Sequence, residues 1–331
     1  MKRYCATALL FTLFISPSFH SASSGTTHNG AEAMQAAPGY DLSSPESIHR
    51  YFRENEQANI VEVWRALGLG LKTDMQYFCD GSCETEIIGV DGRNEILKIS
   101  GGPGTYYEYL FFRKTTASTG DEGEWRFLGS VESPNQQYGP PRHRVVSKDG
   151  RTWFVLRGLS GRGTGVGRYK ETWHEIGEEA VNEVLGYPVE GHDMPWPDGL
   201  GRQFEATVIK SGLAAGVYRV MINYSVSYMS LNGPGSQLRL FTKQQVGSYV
   251  WDSATNRFIL DEPGSSLSEE EIGRVYNFDS LEDKDFIKYN FNELQRLAAR
   301  GSARRRAWLR GFLTTVEQSN ETLVLQNLLQ R

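Results

Sequence analysis

Val217-Tyr218-Arg219-Val220-Met221-Ile222-Asn223-Tyr224-Ser225-Val226-Ser227-Tyr228-Met229 is the stretch that decides the fold class. Tyr218, Val220, Ile222, Tyr224, Val226 and Tyr228 fall on every second position, so the segment reads as a long strand with one buried face. Shorter patterns of the same kind lie on both sides of it. Tyr107, Tyr109 and Phe111 alternate with Glu108 and Leu110, and Trp125, Phe127 and Leu128 follow an acidic, glycine-containing turn. Tyr249–Trp251 and Arg257–Leu260 flank Asp252–Asn256, which is a hairpin signature. Aromatic residues make up 12% of the chain and there are 35 glycines, a balance that suits strands joined by many turns. The expected fold is mainly β (α+β), with an antiparallel β-meander sheet or sandwich over residues 79–262.

A weak internal repeat runs through that region. Asp91-Gly92-Arg93 precedes the apolar run Glu95–Ile99, the glycines 101, 102 and 104, and an aromatic strand. At an offset of 58 residues, Asp149-Gly150-Arg151 precedes Trp153–Leu156, the glycines from 158 to 167, and the aromatic strand Tyr169–Ile176. A third unit without the Asp-Gly-Arg starts near Gln203, with Gly212 and Gly216 ahead of the long strand. Repeats of this size build propeller blades, but three units are too few to close a propeller, so an open sheet or sandwich is expected. Asp91-Gly92-Arg93-Asn94-Glu95 also resembles the Asp-Gly-x-x-Asp/Glu core of FG-GAP and VCBS repeats, which implies a β-hairpin turn. Ile87 and Gly89 stand where those families place further acidic residues, so their calcium site does not carry over.

Helical signals frame the strands. Ser44 and Pro45 fit the cap and first position of a helix, Ile48/Phe52 and Ile60/Val63/Trp64/Leu67 share faces, and Gly68 and Gly70 end the segment, giving a helical stretch over 44–78. From 263 to 331 the chain turns helical again. Ser268 with Glu271 reads as a capping box and Ser280 with Asp283 as a second start. A helix over Phe286–Arg300 follows, recapped at Gly301-Ser302. Trp308, Leu309, Phe312, Leu313 and Val316 then form an apolar stripe, and Arg304, Arg305, Arg306 and Arg310 read as its solvated face.

Residues 1–23 read as a cleavable export signal. Lys2 and Arg3 precede the apolar run Ala6–Ile15, Pro17 breaks it, and small residues follow at 21–24. The run is shorter than the ~20 residues a membrane-spanning helix needs. Residues 24–43, rich in Ser, Thr, Gly and Ala, read as a disordered tether. Losing the two cations of the signal takes the net charge from −5 to −7. That balance argues against nucleic acid and anionic membrane surfaces as partners, and leaves a glycan or a protein. The expectation is a secreted or periplasmic protein with no transmembrane segment after cleavage.

In such a compartment Cys79 and Cys83 are expected to form a disulfide, with Gly81 easing the short loop. Their spacing also resembles that of periplasmic copper-delivery proteins of thioredoxin fold, which implies metal handling, although the strand–helix pattern of that fold is absent. Neither His174-Glu175 nor His192-Asp193 extends to HExxH, the glycine run Gly161–Gly167 lacks phosphate-loop spacing, and Gly158-Leu159-Ser160-Gly161 misses the nucleophile elbow. No motif asks for a cofactor or a metal. The glycine run reads as a wide hairpin loop, and Glu190–Gly199 as a loop carrying His192, Asp193 and Trp196. Trp196 between two prolines suits a stacking platform, and His192 beside Asp193 suits a base, so these three are the candidate ligand-binding residues. The reading leans away from catalysis, toward a non-catalytic binding or envelope-associated protein. A secreted hydrolase acting on glycans through carboxylates is the alternative, and metal binding through Cys79 and Cys83 comes third.

Overall fold

The computed structural model describes residues 40–70, 83–101, 106–115, 123–133, 141–163, 165–194, 200–231, 237–277 and 281–331. Its strands form two antiparallel sheets, as the alternation requires. The first takes β1 (Glu84–Gly89), β2 (Asn94–Gly101), β3 (Tyr106–Lys114) and β4 (Trp125–Ser133) in that order. The second runs from β5 (Arg142–Lys148), β6 (Arg151–Gly163), β7 (Val166–Ile176) and β8 (Val181–Asp193) into β9 (Leu200–Ala214), β10 (Val217–Leu231), β11 (Gln237–Asp252) and β12 (Arg257–Leu260). Within each sheet every strand pairs with its neighbours in sequence, so the described strands fall into three successive four-stranded meanders. The last two merge through a short joint, where Glu190–Asp193 of β8 pair with Glu205–Arg202 of β9. Beyond that joint no ladder links the two strands.

The repeat has a structural meaning, with one correction. Asp91-Gly92 and Asp149-Gly150 close the first hairpin of the first and second meanders. Asp149 and Gly150 do so with φ of 53° and 77°, the left-handed pair that a two-residue hairpin turn demands. The sequence reading aligned Gly212 and Gly216 with the glycines that follow the second strand of a unit. Instead Ala215 and Gly216, with φ of 52° and 78°, close the first hairpin of the third meander. Alanine has taken the place of aspartate there, so the turn carries no recognisable signature.

Strands extend into both glycine-rich "loops". β6 continues to Gly163 and β7 resumes at Val166, so the run Gly161–Gly167 is a tight hairpin and not a wide one. β8 likewise continues through Glu190-Gly191-His192-Asp193. Composition pointed to loops, but glycine here spares room for neighbouring side chains, and cross-strand pairing prevails over its weak strand propensity.

The alternating face of β10 forms the main core, with Tyr218, Val220, Ile222, Tyr224, Val226 and Tyr228 all buried. Trp153, Val155 and Trp173 join it from β6 and β7. The C-terminal helices add α4 (Asp283–Arg300) through Phe286 and Leu294, α5 (Ala303–Leu313) through Leu309 and Leu313, and α6 (Asn320–Gln330) through Leu325 and Leu329. A second cluster sets Tyr109, Phe111 and Leu128 of the first sheet against Phe154, Leu156 and Ile176 of the second. On its other face the first sheet packs Leu97, Leu110 and Phe112 against α1 (Pro45–Glu54) and α2 (Ile60–Ala66). β3 is therefore buried on both sides, and Glu108 sits inside the protein, accepting a 2.7 Å hydrogen bond from Trp64 Nε1.

Ser44 caps α1 as the sequence suggests, its Oγ accepting from Ser47 N at 3.1 Å. Up to residue 70, the described part of the N-terminal stretch holds two helices, the second capped by Asn59. Ser268 caps a short turn, α3 (Glu269–Glu271), which widens into a π-helical turn over Ile272–Tyr276. α4 starts at Asp283 with Glu282 as its cap residue, while Ser280 lies outside the described residues. The helical region expected over 263–331 also holds α6, whose start the sequence reading did not single out and which is marked by a reciprocal cap between Ser319 and Thr322. Among the described residues no helix is long and apolar enough to cross a membrane.

The β5–β6 turn also reaches the third meander away from the joint. Lys148 Nζ donates to Ser211 O, and Asp149 Oδ2 accepts from Leu213 N at 3.0 Å. The turn of β5–β6 thereby occupies backbone groups on the β9 strand where β8 has left it.

Candidate functional site

Residues paired across antiparallel strands share a face. Between β6 and β9 this register assembles two adjoining rows. Arg162, Gly167, His192 and Gln203 form one, and Leu159, Tyr169, Glu190 and Glu205 form the next. Arg162, His192, Gln203, Glu190 and Glu205 are exposed, so this end of the sheet carries an open polar face. A cavity of about 610 Å³ lies on it. Leu159 and Val166 supply apolar lining, Arg162 and His192 the polar lining, and Tyr169, Gly163 and Gly167 complete it. Its volume falls in the ~300–1,000 Å³ range of small-molecule sites.

Two glycines make the geometry possible. A Cβ on Gly167 would stand 2.6 Å from His192 Cε1, so the imidazole lies across bare β7 backbone. Gly165, with φ +76°, turns the β6–β7 hairpin, and a Cβ there would stand 2.6 Å from Met194 O. Met194 N in turn donates to Gly165 O at 2.8 Å, which ties the hairpin to the end of β8. The Arg157 guanidinium lies 5.9 Å from the Tyr169 ring centroid and pairs with Glu190. The arginine thus orders both the aromatic and the carboxylate that flank the cavity.

The sequence candidates fare differently. His192 lines the cavity. Asp193 does not join it: adjacent strand residues point to opposite faces, and Asp193 instead accepts from Arg202 Nη2 at 3.1 Å and Nε at 3.2 Å. Arg202 is buried and reaches Arg274 O at 2.5 Å, so Asp193 anchors the helical region to the sheet. The His–Asp base suggested by adjacency has no geometric support. Trp196 lies in residues 195–199, between β8 and β9 in the chain and outside the described residues. Cys79 also lies outside them, while Cys83 packs against the core beneath α1 and α2. Tyr169, Arg157, Glu190 and Glu205 were missed. Only Tyr169, in the alternation Tyr169/Glu171/Trp173, left a usable signal.

A larger cavity of about 730 Å³ lies where α4 begins and the α5–α6 connection passes. Its charged lining is largely engaged locally, with Lys284 on Glu282 at 2.7 Å, Lys288 on Glu270 at 3.5 Å and Asp285 on Arg274 at 3.4 Å. Those pairs leave it a polar gap between helices and not a set of groups aimed at a ligand. Among the described residues no three His, Cys, Asp or Glu side chains are arranged to hold a metal ion.

No protein-family description matches this chain, and no curated protein resembles it closely enough to be called a relative.

Proposed function

We propose that this chain is an exported, non-catalytic binding protein whose ligand sits in the cavity over Tyr169. The observation that carries the reading is the convergence of Arg162, Tyr169 and His192 on one cavity of small-molecule size. An aromatic ring, a cation and an imidazole on a glycine-relieved sheet make a recognition surface. Export rests on the signal-like residues 1–23, and a Cys79–Cys83 disulfide rests on that compartment. Native mass spectrometry of the unreduced mature chain checks both. The expected mass is that of a chain starting near Ser24 less two hydrogens, and an added metal mass would favour the metal reading.

The binding reading is tested by calorimetry against soluble glycans and peptides, comparing the wild type with Tyr169→Ala. A ligand that loses at least tenfold in affinity in a variant of unchanged melting temperature supports the site. Hits indifferent to Tyr169 would move the site elsewhere.

A hydrolase is the second reading, favoured by one observation: Glu190 and Glu205 are direct cross-strand partners on the same exposed face. Opposed residues hold their Cβ atoms about 4.5–5.5 Å apart, close enough for two carboxylates to serve one substrate. Against it, Glu190 is bound to Arg157 and both glutamates are open to water, without the apolar pocket a general acid uses. Polysaccharide cleavage abolished by both Glu190→Gln and Glu205→Gln would establish it over the binding reading.

A further inference from the structure

From residue 294 to residue 316 the chain carries six arginines and no aspartate, glutamate or lysine, although the protein as a whole is acidic. Three of them meet on one cavity of about 250 Å³, where α4 ends, α5 begins and β11 passes. Arg296 and Arg300 stand one turn apart on α4, Arg305 reaches the cavity from α5, and Phe241 and Thr242 line it from β11. Glu293 is the only acid in the lining. Its side chain is 14% exposed and lies 3.6 Å from Arg296. Arg305 is held by the bond from its Nε to Arg239 O at 2.9 Å, and its two terminal nitrogens have no partner among the described residues. Arg300 has no hydrogen-bond or ion-pair partner among them at all.

The negative carbonyl end of α4 accounts for one cation in its last turn. It does not account for three guanidiniums on one cavity, where like charges one helical turn apart repel. Against the single carboxylate they leave a surplus of two positive charges. A carboxylate ligand would offset half of it. A phosphate monoester, with a charge of about −1.5 to −2 near neutral pH, offsets nearly all of it. The volume lies below the ~300–1,000 Å³ of drug-sized sites, which suits a compact anion and not an extended chain. We infer that this cleft binds a phosphate group, held by forked hydrogen bonds from Arg300 and Arg305, with Arg296 adding charge. It shares no residue with the cavity over Tyr169, so the inference stands apart from the ligand proposed there.

The test is calorimetric titration of the mature protein with inorganic phosphate, and with acetate at the same ionic strength. Phosphate should bind roughly tenfold or more tightly than acetate. Arg300→Gln should lose roughly tenfold in phosphate affinity, at an unchanged ligand-free melting temperature because Arg300 holds no other group in place. Arg257→Gln, which removes an exposed arginine of β12, should bind phosphate as the wild type does. Phosphatidylcholine vesicles with and without phosphatidate then separate the sources of the phosphate. Sedimentation with the phosphatidate vesicles that Arg300→Gln abolishes assigns it to a lipid headgroup. Phosphate binding without sedimentation assigns it to a soluble compound. No phosphate binding, equal affinity for acetate, or the same loss in Arg257→Gln as in Arg300→Gln would overturn the inference.

Discussion

Strand β7 carries two environments within a few residues, and the contrast separates support from recognition. At Glu171 a carboxylate is buried and enclosed by donors. Arg144 reaches it with two hydrogen bonds of 2.7 and 2.8 Å, Trp173 Nε1 donates at 3.0 Å, and the Tyr187 hydroxyl donates as well. Burial pushes its pKa up, but the bonds from Arg144 and Tyr187, the Arg144 charge and the Trp173 N–H together prevail and hold it below the usual carboxylate range. Two residues away, Tyr169 opens on the cavity, and the nearby carboxylate of Glu190 has Arg157 and solvent for company. The same residue types, an arginine, a glutamate and a tyrosine, form a closed knot at one level of the sheet and an open face at the next. A fully satisfied cluster has nothing left to offer a ligand, whereas a half-open one does.

The contrast is broken most directly by deleting each carboxylate. Glu171→Ala leaves a tyrosine hydroxyl, an indole N–H and a guanidinium without their acceptor. It should cost about 3 kcal/mol of unfolding free energy in a urea titration. A loss under about 1 kcal/mol would mean the knot is not structural.

His174, in the closed half, should make stability pH-dependent. Burial lowers its pKa to about 4, with the nearby Glu183 opposing and Lys170 assisting. An unfolded histidine takes up its proton near 6.5. The folded state therefore binds fewer protons than the unfolded one between those values. Stability should be fully present above about pH 6.5 and fall as pH drops toward 4, by on the order of 3 kcal/mol in total. Denaturant titrations across that window should flatten in His174→Gln, and unchanged steepness would place the acid sensitivity elsewhere.

Two further variants, one in each half, sharpen the same comparison with smaller effects. Tyr187→Phe removes one donor from Glu171 and should cost about 1 to 2 kcal/mol, read as a drop in melting temperature. Arg157→Ala on the open face should cost less than about 1 kcal/mol, because the Glu190 it pairs with is exposed. Equal losses in these two variants would erase the distinction between the halves of β7.

The sequence disclosed the fold class because burial on one side of a strand writes a period of two into the chain, and β10 shows it from Tyr218 to Tyr228. It disclosed the first hairpin turns of two meanders through Asp-Gly-Arg, but not the third, where Ala215 adopts the left-handed turn without an aspartate. The site was half legible. His192 and the glycine run were picked out, but as loops, because glycine reads as flexibility when its role is close packing against a neighbour. Tyr169, Glu190 and Glu205 went unseen, since nothing local says that residues from β7, β8 and β9 stand side by side. That information lies in the register. Asp193 was misread for the complementary reason: neighbours along a strand face apart, and its partner Arg202 is set by the β8–β9 pairing.

The sequential order of the strands bears on how the chain comes into being. Each hairpin can close as soon as its second strand is made, so the ladders need little loop-closure entropy and form early. The face of β10 is different. Its row of tyrosines and aliphatic residues is sealed by α4, α5 and α6, which follow all the strands in the chain. Until α6 leaves the ribosome, β10 is paired at its edges but bare on part of its apolar face. A partly made chain is at that stage a sticky one.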